Sequence, residues 1–173
     1  MIHSNAQDVR GHLNAEPDFQ RRSVRFIENH DEPRAAEAFG REKSLAAAAV
    51  FATLPGMRFF HEGQIEGRKI KIPVQLNRAP EESEDPTVKK FYESLMKTTD
   101  QAVFHQGGWR LLDFESPESG DILTWCWEAQ NQTAVVIVNY GTQTANVKVK
   151  FKKEIFLEIA PWESRFILMP SSQ

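Results

Sequence analysis

The chain reads as an α/β unit followed by an all-β unit. Three observations carry that reading: helical patterns alternate with short apolar runs up to residues 98–108, short alternating segments succeed one another after that seam, and the composition is that of a soluble globular protein. Hydrophobic residues make up 40% and charged residues 26% of the 173 residues, far from the signature of disorder. The length suits one large domain or two small ones, and the seam favours a division into 1–99 and 100–173.

Asp8 to Arg22 is polar and helical in pattern, with Gly11 and Pro17 as weak points. Val24-Arg25-Phe26-Ile27 reads as a short strand. Pro33 can open a helical turn, because its fixed φ suits a first helical position, and Gly40 can close it. Glu42 to Leu54 is rich in Ala and apolar residues, as a helix packed on a sheet would be, and Pro55-Gly56 terminates it. A second strand, Met57-Arg58-Phe59-Phe60, follows at once. The connection His61 to Asp85 is longer than most in compact domains and is either functional or mobile. In Pro86 to Lys97, Val88, Phe91, Tyr92, Leu95 and Met96 recur at helical spacing and make one apolar face.

Beyond the seam, Leu123, Trp125 and Trp127 fall on one face of a strand and Ile122, Thr124, Cys126 and Glu128 on the other. Val135 to Asn139 is nearly all apolar, as a strand covered on both faces would be. Val147, Val149 and Phe151 alternate with Lys148, Lys150 and Lys152, which marks a half-exposed strand whose lysines discourage edge pairing. With Trp109 to Phe114, Ile155 to Ile159 and Arg165 to Leu168, about six strands are expected, enough for a small antiparallel sandwich.

Charge and cysteine content exclude several functions. Twenty-one Lys and Arg against 24 Asp and Glu leave a net charge of −3, with no basic stripe dense enough for a phosphate backbone, so nucleic acid is not an expected partner. The lone Cys126 forms no intrachain disulfide, and no Cys/His spacing suits zinc. Leu45 to Leu54 is about half the roughly 20 residues a spanning helix needs, so no membrane segment is expected. Met1-Ile2-His3-Ser4-Asn5 lacks the charged start and long apolar core of a secretory leader, which points to the cytoplasm.

The most informative stretch is Phe26-Ile27-Glu28-Asn29-His30-Asp31-Glu32-Pro33-Arg34, where a strand runs out into an imidazole beside a carboxylate. Catalytic groups of β/α barrels sit at the C-terminal ends of strands. This stretch resembles the Asn-His-Asp motif that ends the penultimate barrel strand in the α-amylase family, family 13 of the glycoside hydrolases. Downstream, Thr53-Leu54-Pro55-Gly56-Met57-Arg58-Phe59-Phe60-His61-Glu62-Gly63-Gln64 resembles that family's passage into the final barrel strand, a Leu-Pro-Gly turn, an aromatic strand and a Gly/Glu/Gln cluster. The two matches at this spacing, followed by a β-rich tail, are far more specific than Asn-His-Asp alone.

The resemblance covers residues 19 to 173 and implies a partial β/α barrel, contributing its last two strands and helices, followed by an antiparallel β-sandwich. It implies that Asp31 is the transition-state stabiliser, that His30 and Asn29 bind substrate, and that Arg34 lines the same site. A fixed, ionised carboxylate beside an oxocarbenium-like cation lowers the barrier electrostatically. The implied substrate is an α-glucan or maltooligosaccharide. No cofactor is expected for the chain itself, and calcium would belong to a complete parent enzyme.

Retaining glycosidases need two carboxyls about 5–5.5 Å apart, one nucleophile and one acid/base. The family's nucleophile motif, Gly-Phe-Arg-x-Asp, has no match in this sequence, and neither has its general-acid strand. Glu28, Glu32, Glu62 and Glu66 carry no sign of substituting for them, so the isolated chain is expected to be inactive. Two barrel strands alone would leave edges exposed, and self-association is expected to follow.

Plainer explanations compete. Asp31 could simply cap the turn near Pro33. His61 to Gln64 could be an ordinary polar loop. Trp109, Trp125, Trp127 and Trp162 could stack on sugar rings, in which case the chain is a non-catalytic carbohydrate-binding or interaction module; core packing explains them more simply.

Overall fold

The computed structural model describes residues 4–76, 78–117 and 120–171. The polar start forms two helices rather than one, α1 (Ala6–Leu13) and α2 (Pro17–Arg22). A reciprocal capping box fixes the start of α1: Asn5 Oδ1 accepts from Asp8 N–H at 2.8 Å and Asp8 Oδ2 from Asn5 N–H at 3.1 Å. The break falls where Pro17, which has no N–H to donate, begins the second helix.

Strand β1 (Val24–Arg25) pairs in parallel with β2 (Met57–Arg58), with Arg25 opposite Arg58. Helices α3 (Ala35–Ala38) and α4 (Arg41–Thr53) lie between them in the chain. The ladder is shorter than the apolar runs that suggested it, though alternation persists beyond it. Val24, Phe26, Met57 and Phe59 are exposed while Arg25 and Ile27 are buried. Gly56 takes φ 106° where the chain turns into β2, and a Cβ there would stand 2.3 Å from the Ser23 carbonyl oxygen. No other residue fits that close approach.

Helix α4 is buried almost all round, which its run of small residues permits: Ala46, Ala47, Ala48, Ala49 and Ala52 are fully inaccessible. It packs on α5 (Pro86–Thr99) and on the central strand of the tail. Asp85 caps α5 through bonds from the Thr87 and Val88 N–H groups at 2.9 and 3.3 Å. Val88, Tyr92 and Leu95 form its buried face. A short helix α6 (Val103–Gln106) occupies the seam.

Among the described residues the tail holds seven strands in two antiparallel sheets. One is ordered β3 (Gly108–Leu111), β5 (Ile122–Glu128), β6 (Gln132–Asn139), β9 (Ser164–Pro170); the other β4 (Asp113–Glu115), β7 (Ala145–Lys150), β8 (Ile155–Ile159). The seventh strand arises because the segment expected as one strand over Trp109 to Phe114 leaves the first sheet at Leu112 and joins the second. Leu112 is buried at that corner, with its N–H on the Thr124 carbonyl at 3.0 Å and its own carbonyl accepting from Thr124 Oγ1 at 2.8 Å. Strand β7 is the middle strand of its sheet, so its lysines face solvent rather than guard an edge.

The two faces of β5 serve two cores, as its alternation requires. Ile122 and Cys126 join Val135, Ile137, Val147 and Ile159 between the sheets. Leu123, Trp125 and Trp127 join Val136, Val138 and the helices on the other side. The result is three layers: helices with the parallel pair, the four-stranded sheet, and the three-stranded sheet. Trp127 Nε1 donates to the Thr53 carbonyl at the end of α4, at 2.6 Å, tying the first two layers together. Trp125 and Trp127 are core residues, which removes them from any exposed stacking platform.

Candidate functional site

Where β1 runs out, Ile27 and Glu28 turn inward and are buried, whereas His30 and Asp31 point to solvent. Asn29 makes the change of direction. Its Oδ1 accepts from the Asp31 and Glu32 N–H groups at 2.8 and 2.9 Å, a side-chain turn that holds the backbone beneath the pair. His30 Nε2 then lies 3.2 Å from Asp31 Oδ2, with the side chains 61% and 80% exposed. Lys71 donates to the Asp31 carbonyl oxygen.

Arg34 is held quite differently. Its side chain is 3% exposed and Glu28's is 1%, with Nη1 on Glu28 Oε1 at 2.8 Å. The same nitrogen lies 2.8 Å from His61 Nδ1 and donates to the Glu62 carbonyl oxygen, while Nε reaches the Ile70 carbonyl at 3.3 Å. Glu28 Oε2 accepts from the Ala35 N–H at 2.6 Å, at the start of α3. Glu28 therefore does what Asp31 could have done as a cap, and Asp31 is left unengaged by the helix. A buried charge pair is stabilised by further bonds to its lone pairs and protons, and here Arg34 Nη1 and Nε and both Glu28 oxygens are bonded, with the Glu62 carboxylate 3.7 Å from Nη2.

The long connection is tied to the same place. The Lys69 and Ile70 N–H groups donate to the Glu82 carboxylate at 2.6 and 3.2 Å, and Asp85 N–H donates to the Glu66 carbonyl at 2.9 Å. Gln64 is buried, accepts from the His61 N–H at 3.2 Å and donates to Tyr92 Oη at 2.9 Å. Burial drives the Tyr92 phenol well above its ordinary range, so it stays a neutral hydrogen-bonding group. These contacts leave a cleft of about 220 Å³ lined by Asn29, His30, Arg34, His61, Glu62 and Lys71, among others.

The structure thus brings Asn29, His30 and Arg34 to one cleft, with Asp31 joined to it through His30. The roles of Glu28 and Lys71 were not legible in the sequence. The Glu28–Arg34 pair spans six residues across a turn, which has no periodic signature, and Lys71 arrives from a segment without regular structure.

The chain resembles a protein named as an α-amylase in sequence and, in fold, solved structures of a debranching enzyme and an α-amylase. No family model matches the sequence. An α-amylase of Haloarcula japonica, MalA, is 28% identical over 126 residues, which are 70% of this chain and 18% of that protein. The Nostoc punctiforme debranching enzyme superposes with a TM-score of 0.73 at 16% identity, over 93% of this chain and 37% of its own. The α-amylase of Geobacillus thermoleovorans gives 0.71 at 14% identity, over 99% and 45%. The chain therefore spans less than half the length of these relatives.

Proposed function

We propose that this chain supplies one wall of an α-glucosidic active site, with Asp31 as the carboxylate that stabilises the transition state, His30 and Asn29 as the groups that bind and orient the sugar, and Arg34 lining the same cleft. The observation that carries the reading is the contrast within one turn: an exposed His30–Asp31 pair stands at the C-terminal end of β1 on a base held by Asn29 and by the buried Glu28–Arg34 pair. A carboxylate so placed can face a developing cation without moving. The sequence similarity to a protein named as an α-amylase supports an α-glucan or maltooligosaccharide as ligand.

In this reading β1 and β2 are adjacent strands of a β/α barrel, residues 1–99 form its closing segment, and 100–173 form an appended sandwich. The exposed Val24, Phe26, Met57 and Phe59 are the face that further strands would cover. The 173 residues on their own bind without turning over. Glu28, the nearest buried carboxylate, is fully engaged by Arg34 and the Ala35 N–H, so it can neither attack nor donate a proton. With the apolar face open, the chain self-associates.

Calorimetry with maltoheptaose tests the binding claim, expecting weak affinity that His30→Ala or Asp31→Asn removes. Affinity untouched by both but lost on changing an aromatic of the sandwich would transfer the function to a non-catalytic binding module. Hydrolysis of maltooligosaccharides by the pure chain would overturn the inactivity claim, and a clean monomer on size-exclusion chromatography would remove self-association.

A further inference from the structure

The opposite end of the parallel pair carries a second cleft, of about 560 Å³, between helix α2, the N-terminal end of β2 and the edge strand β3. Its apolar walls are Trp109, Trp127 and Phe104. Its polar walls include Arg58, His105 and Arg21, the last paired with Asp18, and no Asp or Glu is among the described residues that line it. That is notable in a chain whose net charge is −3.

Behind this wall the charges are unbalanced. Arg25 and Arg58 are register partners, so two guanidinium side chains leave the sheet on the same face at neighbouring positions. Arg25 donates to the Pro55 carbonyl at 2.9 Å and to Gln20 Oε1, and Arg58 to the Thr99 and Phe104 carbonyls at 3.4 and 3.1 Å. These acceptors are neutral oxygens, the His12 ring nitrogen lies 3.4 Å from Arg25 Nη1, and among the described residues neither arginine has a carboxylate partner. Burial disfavours the charged form of both. Two donors on the cleft residues, Arg58 Nε and Trp109 Nε1, are buried with no hydrogen-bond partner among the described residues.

An arginine with no carboxylate partner, unsatisfied donors and the half-buried indole of Trp109 call for a ligand that brings negative charge, acceptor oxygens and a ring. A neutral sugar would answer the walls but not the charge. A guanidinium is the side chain best matched to phosphate oxygens, and a ring can lie against an indole face. We propose that this cleft binds a small phosphate monoester, its phosphate on the Arg58 side and its ring against the half-buried Trp109. The site is independent of the sugar-binding reading, since it lies at the other end of the strands and shares none of its residues.

The test uses phenyl phosphate as probe, with phenyl glucoside as the neutral control, titrated calorimetrically into the 173-residue protein at physiological ionic strength. Saturable binding of phenyl phosphate is expected, with displacement by inorganic phosphate and no comparable binding of phenyl glucoside. Arg58→Gln should weaken it about ten-fold or more. In the unaltered protein, the Trp109 indole N–H resonance, assigned by Trp109→Phe, should move as the site fills. That second measurement stands if Arg58→Gln does not fold. Absence of saturable binding, a motionless Trp109 resonance, equal affinity for the neutral probe, or a folded Arg58→Gln protein with undiminished affinity would each overturn the proposal.

Discussion

The two ends of the same pair of parallel strands handle buried charge in opposite ways. At the C-terminal end Arg34 meets a carboxylate, Glu28, and the pair is held further by the Glu62 and Ile70 carbonyls and the Ala35 N–H. At the N-terminal end Arg25 and Arg58 meet carbonyl and amide oxygens and the His12 imidazole, and no carboxylate among the described residues. A compensated pair locks the chain in place and leaves its neighbours, His30 and Asp31, free to act on solvent or ligand. An uncompensated pair leaves a residual positive field that something else can use.

The largest expected effect follows from removing the compensation. Glu28→Ala leaves the Arg34 guanidinium buried without its carboxylate and strips the acceptor from the Ala35 N–H, so unfolding free energy should fall by about 3–5 kcal/mol. Urea denaturation measures it. A loss under about 1 kcal/mol would mean that carbonyl oxygens suffice for Arg34, and the contrast between the ends would disappear.

Arg25→Met should be milder, because the cation it removes has no ionic partner to orphan. It leaves Pro55 O and Gln20 Oε1 without a donor but also ends the desolvation of a charge, and the two changes largely offset. A net loss of about 1 kcal/mol is expected in the same denaturation experiment, several-fold below that of Glu28→Ala. A larger loss from Arg25→Met than from Glu28→Ala would show that the carbonyl-bound arginine is the structural one.

Most of the secondary structure was legible because period and punctuation agree with packing. Helix α4 ends one residue before its expected limit, at Thr53, and the two faces of β5 separate into two cores as the alternation of Trp125 and Cys126 requires. What escaped was decided by contacts distant in sequence. Nothing around Leu112 announces that one strand will serve two sheets, since the corner depends on Thr124 reaching across from β5. The Asn29-His30-Asp31 cluster could be named from the sequence, but its support by Glu28 could not. A glutamate beside a strand end reads as a surface residue until the fold buries it against Arg34.

The smallest expected effect is a shift in one titration, and it isolates the uncompensated field most cleanly. His12 Nε2 lies 3.4 Å from Arg25 Nη1, and its pKa is lowered below the ordinary 6.5, first by partial burial and then by the charge of Arg25. The fold therefore favours neutral His12, while the unfolded chain takes up its proton more readily. The resulting stability is fully present above the unfolded value of 6.5 and is lost as pH falls through the lowered folded value. Arg25→Met removes the second cause and leaves the first, so the His12 titration followed by NMR should rise but stay below 6.5. The acid-side loss of stability should shrink with it. A His12 curve unmoved by Arg25→Met would mean that burial alone sets it, and that the arginine's charge is already neutralised by something other than the carbonyl oxygens around it.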